Sequence, residues 1–222
     1  MAEIKSNLLV LGGSGAIGQR VIEYAVARGQ QVTVIVRDKA SVAQHKSIKV
    51  IEGNVLDEVI LTQAIRGQDT VISCLGIKRK NGKNPWSALV SPKDFTEQVT
   101  SKVLKIMGKN QVERFIAVSS AGAADSKKNG SFAMNCLIQL SNVKFSIADL
   151  TNMEQVMQQS QLDTLAVRPV GLTDSQEPQQ AGIVDSYGLS STISRAEVAK
   201  WLLDAAARQD RFSQPAELIA TN

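Results

Sequence analysis

Four glycines fall within seven residues at Gly12-Gly13-Ser14-Gly15-Ala16-Ile17-Gly18. A loop with so few side chains lets backbone approach a pyrophosphate. A helix that begins inside it turns free N–H groups and the positive end of its dipole toward the anion. Glycine at 12 permits a tight turn, small residues at 13 to 15 keep the approach open, and Gly18 permits close packing of helix on sheet. The spacing is G-x-G-x-x-G from Gly13 and G-x-x-G-x-x-G from Gly12. The motif is specific only between a strand and a helix, and it lacks the G-K-[ST] ending of a triphosphate-binding loop. The second chemical signal is Arg37, in Val34-Ile35-Val36-Arg37-Asp38. An NAD site places Asp or Glu where the second strand ends, to accept from the ribose 2′-hydroxyl. A guanidinium there suits a 2′-phosphate and the adenine face. The expectation is a dinucleotide site that favours NADP(H), with NAD(H) as the alternative if Asp38 faces the ribose.

These residues need a strand–loop–helix frame, and the hydrophobic pattern supplies one. Leu8 to Leu11 reads as a buried strand. Ile17 to Arg28 has apolar residues at 17, 21, 22, 25 and 26, a helical period, and stops at Gly29. Further strands are expected at Val32–Val36, Ile48–Ile51, Thr70–Leu75, Phe115–Val118, Leu165–Pro169 and Glu217–Ala220. A helix is expected over Leu56–Ile65. Another opens at Ser91-Pro92-Lys93-Asp94, with Ser91 as N-cap and an inner face at 95, 99, 103, 106 and 107. Ser194-Arg195-Ala196-Glu197 reads as a capping box for a helix through Ala207. Asp125 to Ser160 is helical in parts, and Gly171 to Gly188 reads as a loop near the strand ends. Continuous apolar strands alternating with helices imply a parallel sheet covered on both faces. The expected class is α/β: a Rossmann-type, doubly wound, three-layer single domain over 1–222. A small substrate side is expected from about 77–92 and 171–192.

Bulk composition narrows the function. The 222 residues are 43% hydrophobic but only 4% aromatic, enough for one largely aliphatic core. The net charge of +4 is spread along the chain, which gives little support for nucleic-acid or membrane-surface binding. No apolar run reaches membrane-spanning length, and the N-terminus enters a short strand rather than a signal-peptide core. Cys74 and Cys136 read as reduced core thiols, consistent with a cytoplasmic protein. His45 is the only histidine and reads as a surface residue, so neither a zinc site nor a Ser-His-Asp triad is expected.

With these residues in view, the chain resembles the atypical short-chain dehydrogenase/reductase family, in its small single-domain NAD(P)H-binding branch, to which biliverdin reductase B and the NmrA-like proteins are related. The resemblance runs through Gly12–Gly18, 36–38, 53–57, 69–72, 112–120, 162–169 and 193–199. It implies that Asn54, Val55, Cys74, Leu75 and Gly76 flank the adenine and ribose, with Asn54 where the family usually has Asp. It implies that Val118, Ser119 and Ser120 lie near the nicotinamide ribose, and that Arg168, Pro169 and Val170 close over the nicotinamide side.

The resemblance departs from the family at its acid–base pair. The usual Tyr-x-x-x-Lys falls near Ser146 and Leu150, and neither residue is present. Tyr24 reads as structural, and Tyr187 lies in the late loop. Ser120 is the best candidate for a catalytic polar contact and Asp149 a distant second. Hydride transfer can dispense with a positioned acid when the acceptor is a conjugated ring that solvent can protonate. The basic loop Lys78-Arg79-Lys80-Asn81-Gly82-Lys83, with Trp86, suits an anionic or planar small molecule. The expected function is NADPH-dependent reduction of such an acceptor, by a monomer or homodimer. A catalytically silent regulator or redox sensor is the alternative, and sugar-nucleotide epimerase or dehydratase chemistry comes third.

Overall fold

The computed structural model describes residues 6–175 and 180–221. The ends of the chain, and residues 176–179 of the expected substrate side, lie outside them. The β-branched and leucine-rich runs form strands β1 (Asn7–Leu11), β2 (Gln31–Val36), β3 (Ile48–Glu52), β4 (Thr70–Ser73), β5 (Arg114–Val118) and β6 (Asp163–Pro169). Two short strands come next, β7 (Gly171–Thr173) and β8 (Ala181–Ile183), then β9 (Thr192–Ser194) and β10 (Ala216–Thr221). The helices are α1 (Ala16–Ala27), α2 (Glu58–Ile65), α3 (Phe95–Lys109), α4 (Phe132–Leu140), α5 (Val143–Gln158) and α6 (Arg195–Ala206).

The main sheet has the order β3-β2-β1-β4-β5-β6-β10-β8. The chain leaves β1 toward β2 and β3, then returns to lay β4 on the other side of β1. That reversal opens a crevice at the carboxyl ends of β1 and β4, where ligands bind in open α/β sheets. Strand parity sorts the two cores. Leu8 and Val10 of β1, with Ile116 and Val118 of β5, face α1 and α6. Leu9, Leu11, Phe115 and Ala117 face α2, α3 and α5. The expected three-layer fold is the observed one.

Several details differ from the sequence reading. β8 runs antiparallel to β10 at the sheet edge, so the sheet is not wholly parallel. The expected 171–188 loop contributes β7, which pairs with β9 in a two-stranded ribbon. Asp57 caps α2, accepting from Val59 and Ile60 N–H, and so starts the helix two residues later than the apolar pattern suggests. Ser91 is not the N-cap of α3. Its hydroxyl takes the Lys78 N–H, and Asp94 stands at the cap position instead. The capping box of α6 is half formed: Ser194 accepts from the Glu197 N–H, while the Glu197 carboxylate takes Lys200.

Candidate functional site

The glycine loop fits an anion by what it lacks. Gly12 has φ +78, and a Cβ there would stand 2.8 Å from the Cys74 carbonyl oxygen. A Cβ on Gly18 would run into the Gly12 carbonyl. The loop is closed by Gly15 N–H donating to the Gly12 carbonyl at 2.9 Å. No side chain caps α1, and no acidic residue stands in its first turn. The uncapped N–H groups and the dipole therefore face the crevice unopposed. Ser14 and Ala16 are exposed there, Ile17 is half-buried, and Gly13 is packed beneath against Ile22 and Val34. This is a cradle that side chains would fill, and it fits a dinucleotide pyrophosphate.

At the end of β2 the two neighbours divide. Asp38 turns its carboxylate back to accept from the Ala40 N–H at 2.9 Å and caps a short 3-10 turn. Arg37 is exposed, and no carboxylate among the described residues pairs with it. Asn54, after β3, spends its side-chain oxygen on the Leu56 N–H, beside half-buried Val55. After β4, Cys74 and Leu75 are half-buried and Gly76 is exposed; burial pushes the Cys74 thiol up to about 12.

Beyond β5 the backbone continues the ladder. Ser119 N–H donates to the Val167 carbonyl and Ala121 N–H to the Pro169 carbonyl. Val118 is buried, and Ser120 is half-buried with its hydroxyl only on the Ala121 carbonyl, at 3.1 Å. Ser119 and Arg168, adjacent across β5 and β6, point into the α5 layer. There Glu154, 1% exposed, accepts from Ser119 Oγ at 2.5 Å and from Arg168 Nε at 3.0 Å. Arg168 Nη2 bonds Glu154 again and also Asp125. Burial alone would weaken the Arg168 charge, but the two carboxylates hold its pKa above the usual arginine value. Asp125 responds in kind: the guanidinium outweighs burial and lowers its carboxyl below the ordinary aspartate value. The side chain of Arg168 thus points into the α5 layer, toward Glu154 and Asp125. Pro169 and Val170 are buried beside it.

Two further expectations meet a different arrangement. Asp149 is 1% exposed and accepts from Thr96 N–H, Thr96 Oγ1 and Glu97 N–H, so it ties α5 to the start of α3. Burial pushes its carboxyl up against those donors. Tyr187 lies in the stretch between β8 and β9, enclosed rather than open to solvent. It is 5% exposed, its hydroxyl set against Gly122 and Gly130, where a Cβ on Gly130 would stand 2.7 Å away. Ser146 and Leu150, at the family's acid–base positions, lie on α5; the Ser146 hydroxyl is enclosed without a hydrogen-bond partner, and Leu150 is core.

The basic loop folds back on itself, with Lys80 N–H on the Ala88 carbonyl and Val90 N–H on the Lys78 carbonyl. Trp86, 58% exposed, anchors it by donating its indole N–H to the Leu140 carbonyl at the end of α4. Phe132, Cys136 and Leu140 share one face of α4, with both end residues exposed. The sequence reading missed Glu154. Its signal was a carboxylate within the apolar stripe Leu150, Met153 and Met157 of α5.

The model of a family described as NAD(P)H-binding matches residues 12–209. The chain is 24% identical over 226 residues to "Uncharacterized protein At2g34460, chloroplastic" from Arabidopsis thaliana, covering 96% of this chain and 76% of that protein. It is 34% identical over 86 residues to "Isoflavone reductase homolog IRL" from Zea mays, covering 34% of this chain and 28% of that protein. The chain thus spans well under two thirds of the length of that reductase homolog. Among solved structures, "ChuY: An Anaerobillin Reductase from Escherichia coli O157:H7" superposes with a TM-score of 0.77 at 23% identity, over 96% of each chain. A short-chain dehydrogenases/reductase from Veillonella parvula DSM 2008 in complex with NADP superposes at 0.79 and 17% identity, over 96% of this chain and 94% of that one.

Proposed function

The chain belongs to this NAD(P)H-binding family, and on that premise we propose that it is an NADPH-dependent reductase of the atypical short-chain type. The observation that carries the proposal is the glycine-rich, uncapped cradle at Gly12–Gly18 with Arg37, which has no carboxylate partner among the described residues, at the end of the neighbouring strand. Gly12, Gly15, Ala16 and Ile17 hold the pyrophosphate through backbone, and Arg37 takes the 2′-phosphate. Asn54, Val55, Cys74, Leu75 and Gly76 line the adenine and ribose side. Val118, Ser119, Ser120, Pro169 and Val170 form the wall of the nicotinamide end. Bound there, the cofactor supplies hydride.

The acceptor is a small conjugated molecule. Ser146 and Leu150 carry no acid–base pair, so the proton comes from solvent, with Ser120 as the polar contact on the protein. Trp86, the apolar face of α4 and the cations of 78–83 offer a planar anionic molecule an aromatic surface and positive charge. ChuY is named an anaerobillin reductase, which supports adding that compound to the acceptors to test. The missing acid–base pair also favours a second reading, a cofactor-binding redox sensor. NADPH oxidation across flavin, quinone and tetrapyrrole acceptors separates the two. The reductase reading expects turnover with at least one class, reduced by Trp86→Ala. Tight NADPH binding with no turnover on any class favours the sensor.

A further inference from the structure

Segment 119–126 takes an unusual path. Gly122 has φ +94, and Ala124, with a side chain, has φ +46. A non-glycine residue in the left-handed region persists only where its surroundings impose it. The constraints come from α5 and β6. Thr151 Oγ1, on α5, accepts the Ala124 N–H at 2.9 Å. Glu154, one turn further on the same face, accepts from Ser119. Pro169 accepts from Ala121 N–H, and Arg168 grips Asp125 at 2.7 Å. Arg168 and Glu154 stand at the centre of this set, because each holds one end of the segment and both hold each other. A dry ion pair is a poor way to gain stability compared with an apolar pair of the same volume. Its place under the crest of β5 and β6 suits another task.

We propose that Glu154 and Arg168 are positioning residues, whose buried pair fixes segment 119–126, and Ser120 with it, against the nicotinamide half of the cofactor. The role rests on the proposed cofactor site. The adenine half depends on the glycine loop and Arg37, on the far side of the sheet's reversal point, so the two halves separate experimentally.

The test compares two ligands on the whole chain. 2′,5′-ADP reports the adenine half, and NADPH, read by its nicotinamide fluorescence, reports both. Two variants are used. Glu154→Gln keeps an acceptor for Ser119 but loses the charge. Glu154→Leu with Arg168→Met replaces the pair by apolar side chains, so that folding is kept even if the first variant is unstable. Both are expected to bind 2′,5′-ADP within about twofold of the native chain. Both are expected to bind NADPH at least about fivefold more weakly, with a smaller fluorescence gain for the bound nicotinamide. A merely structural pair would weaken both ligands together or neither, and either result overturns the positioning role. Failure of the native chain to bind 2′,5′-ADP and NADPH would instead overturn the cofactor site, and the positioning role with it.

Discussion

Replacing Arg37 with alanine is expected to weaken NADPH binding about tenfold to a hundredfold, the equivalent of a charge-assisted hydrogen bond of roughly 1.5–3 kcal/mol. NADH binding is expected to stay within about twofold, because it has no 2′-phosphate to lose. Two neighbouring side chains account for the difference. Asp38 caps its own turn, its Oδ1 accepting the Ala40 N–H at 2.9 Å. Arg37 is exposed and has no carboxylate partner among the described residues. A guanidinium that spends nothing on the protein is available to a phosphate, and its fork geometry suits one. Titration of the variant with both nucleotides checks this. Equal loss for NADPH and NADH would place Arg37 outside the 2′-phosphate site.

The second large effect concerns stability. Glu154→Leu alone leaves Arg168, 5% exposed, with only Asp125 to pair it. Breaking a buried pair in this way costs about 3–5 kcal/mol. For a chain of this length, that is a fall in melting temperature of roughly 6–20 °C. Adding Arg168→Met removes the stranded charge and is expected to restore most of the loss. Thermal unfolding of the native, single and double variants reads the difference directly. A double variant no more stable than the single would show that the cost lies in packing rather than in the unpaired charge.

The elements around the glycine loop were legible in the sequence because each announces itself locally. A continuous apolar run such as Leu8–Leu11 can only be a buried strand here, and four glycines directly after it have few other uses. The place of Arg37 at the end of β2 was legible for the same reason, since the end of a buried strand sets where the next residue emerges. What escaped was set by tertiary partners. Arg168 was assigned a contact with the cofactor because its place at the end of β6 was clear, but its direction depends on Glu154, fourteen residues earlier on another element. Asp149 has the residue type of a catalytic acid, yet the N–H groups of Thr96 and Glu97 decide its use. Ser91 has the chemistry of an N-cap, and the Lys78 N–H competes for it. Tyr187 could be placed only once the glycines at 122 and 130 were seen beside it. Ser194, whose partner lies three residues on, was read correctly, whereas Ser91, Asp149 and Arg168 take partners distant in sequence that a local pattern does not show.

Direct titration of the native chain with NADPH and NADH tests whether Gly12–Gly18 and Arg37 form an NADP(H) site. Binding of both nucleotides, with NADPH at least about tenfold tighter, is the expected result. Equal affinity for the two would contradict the role given to Arg37, and no binding of either would contradict the site itself.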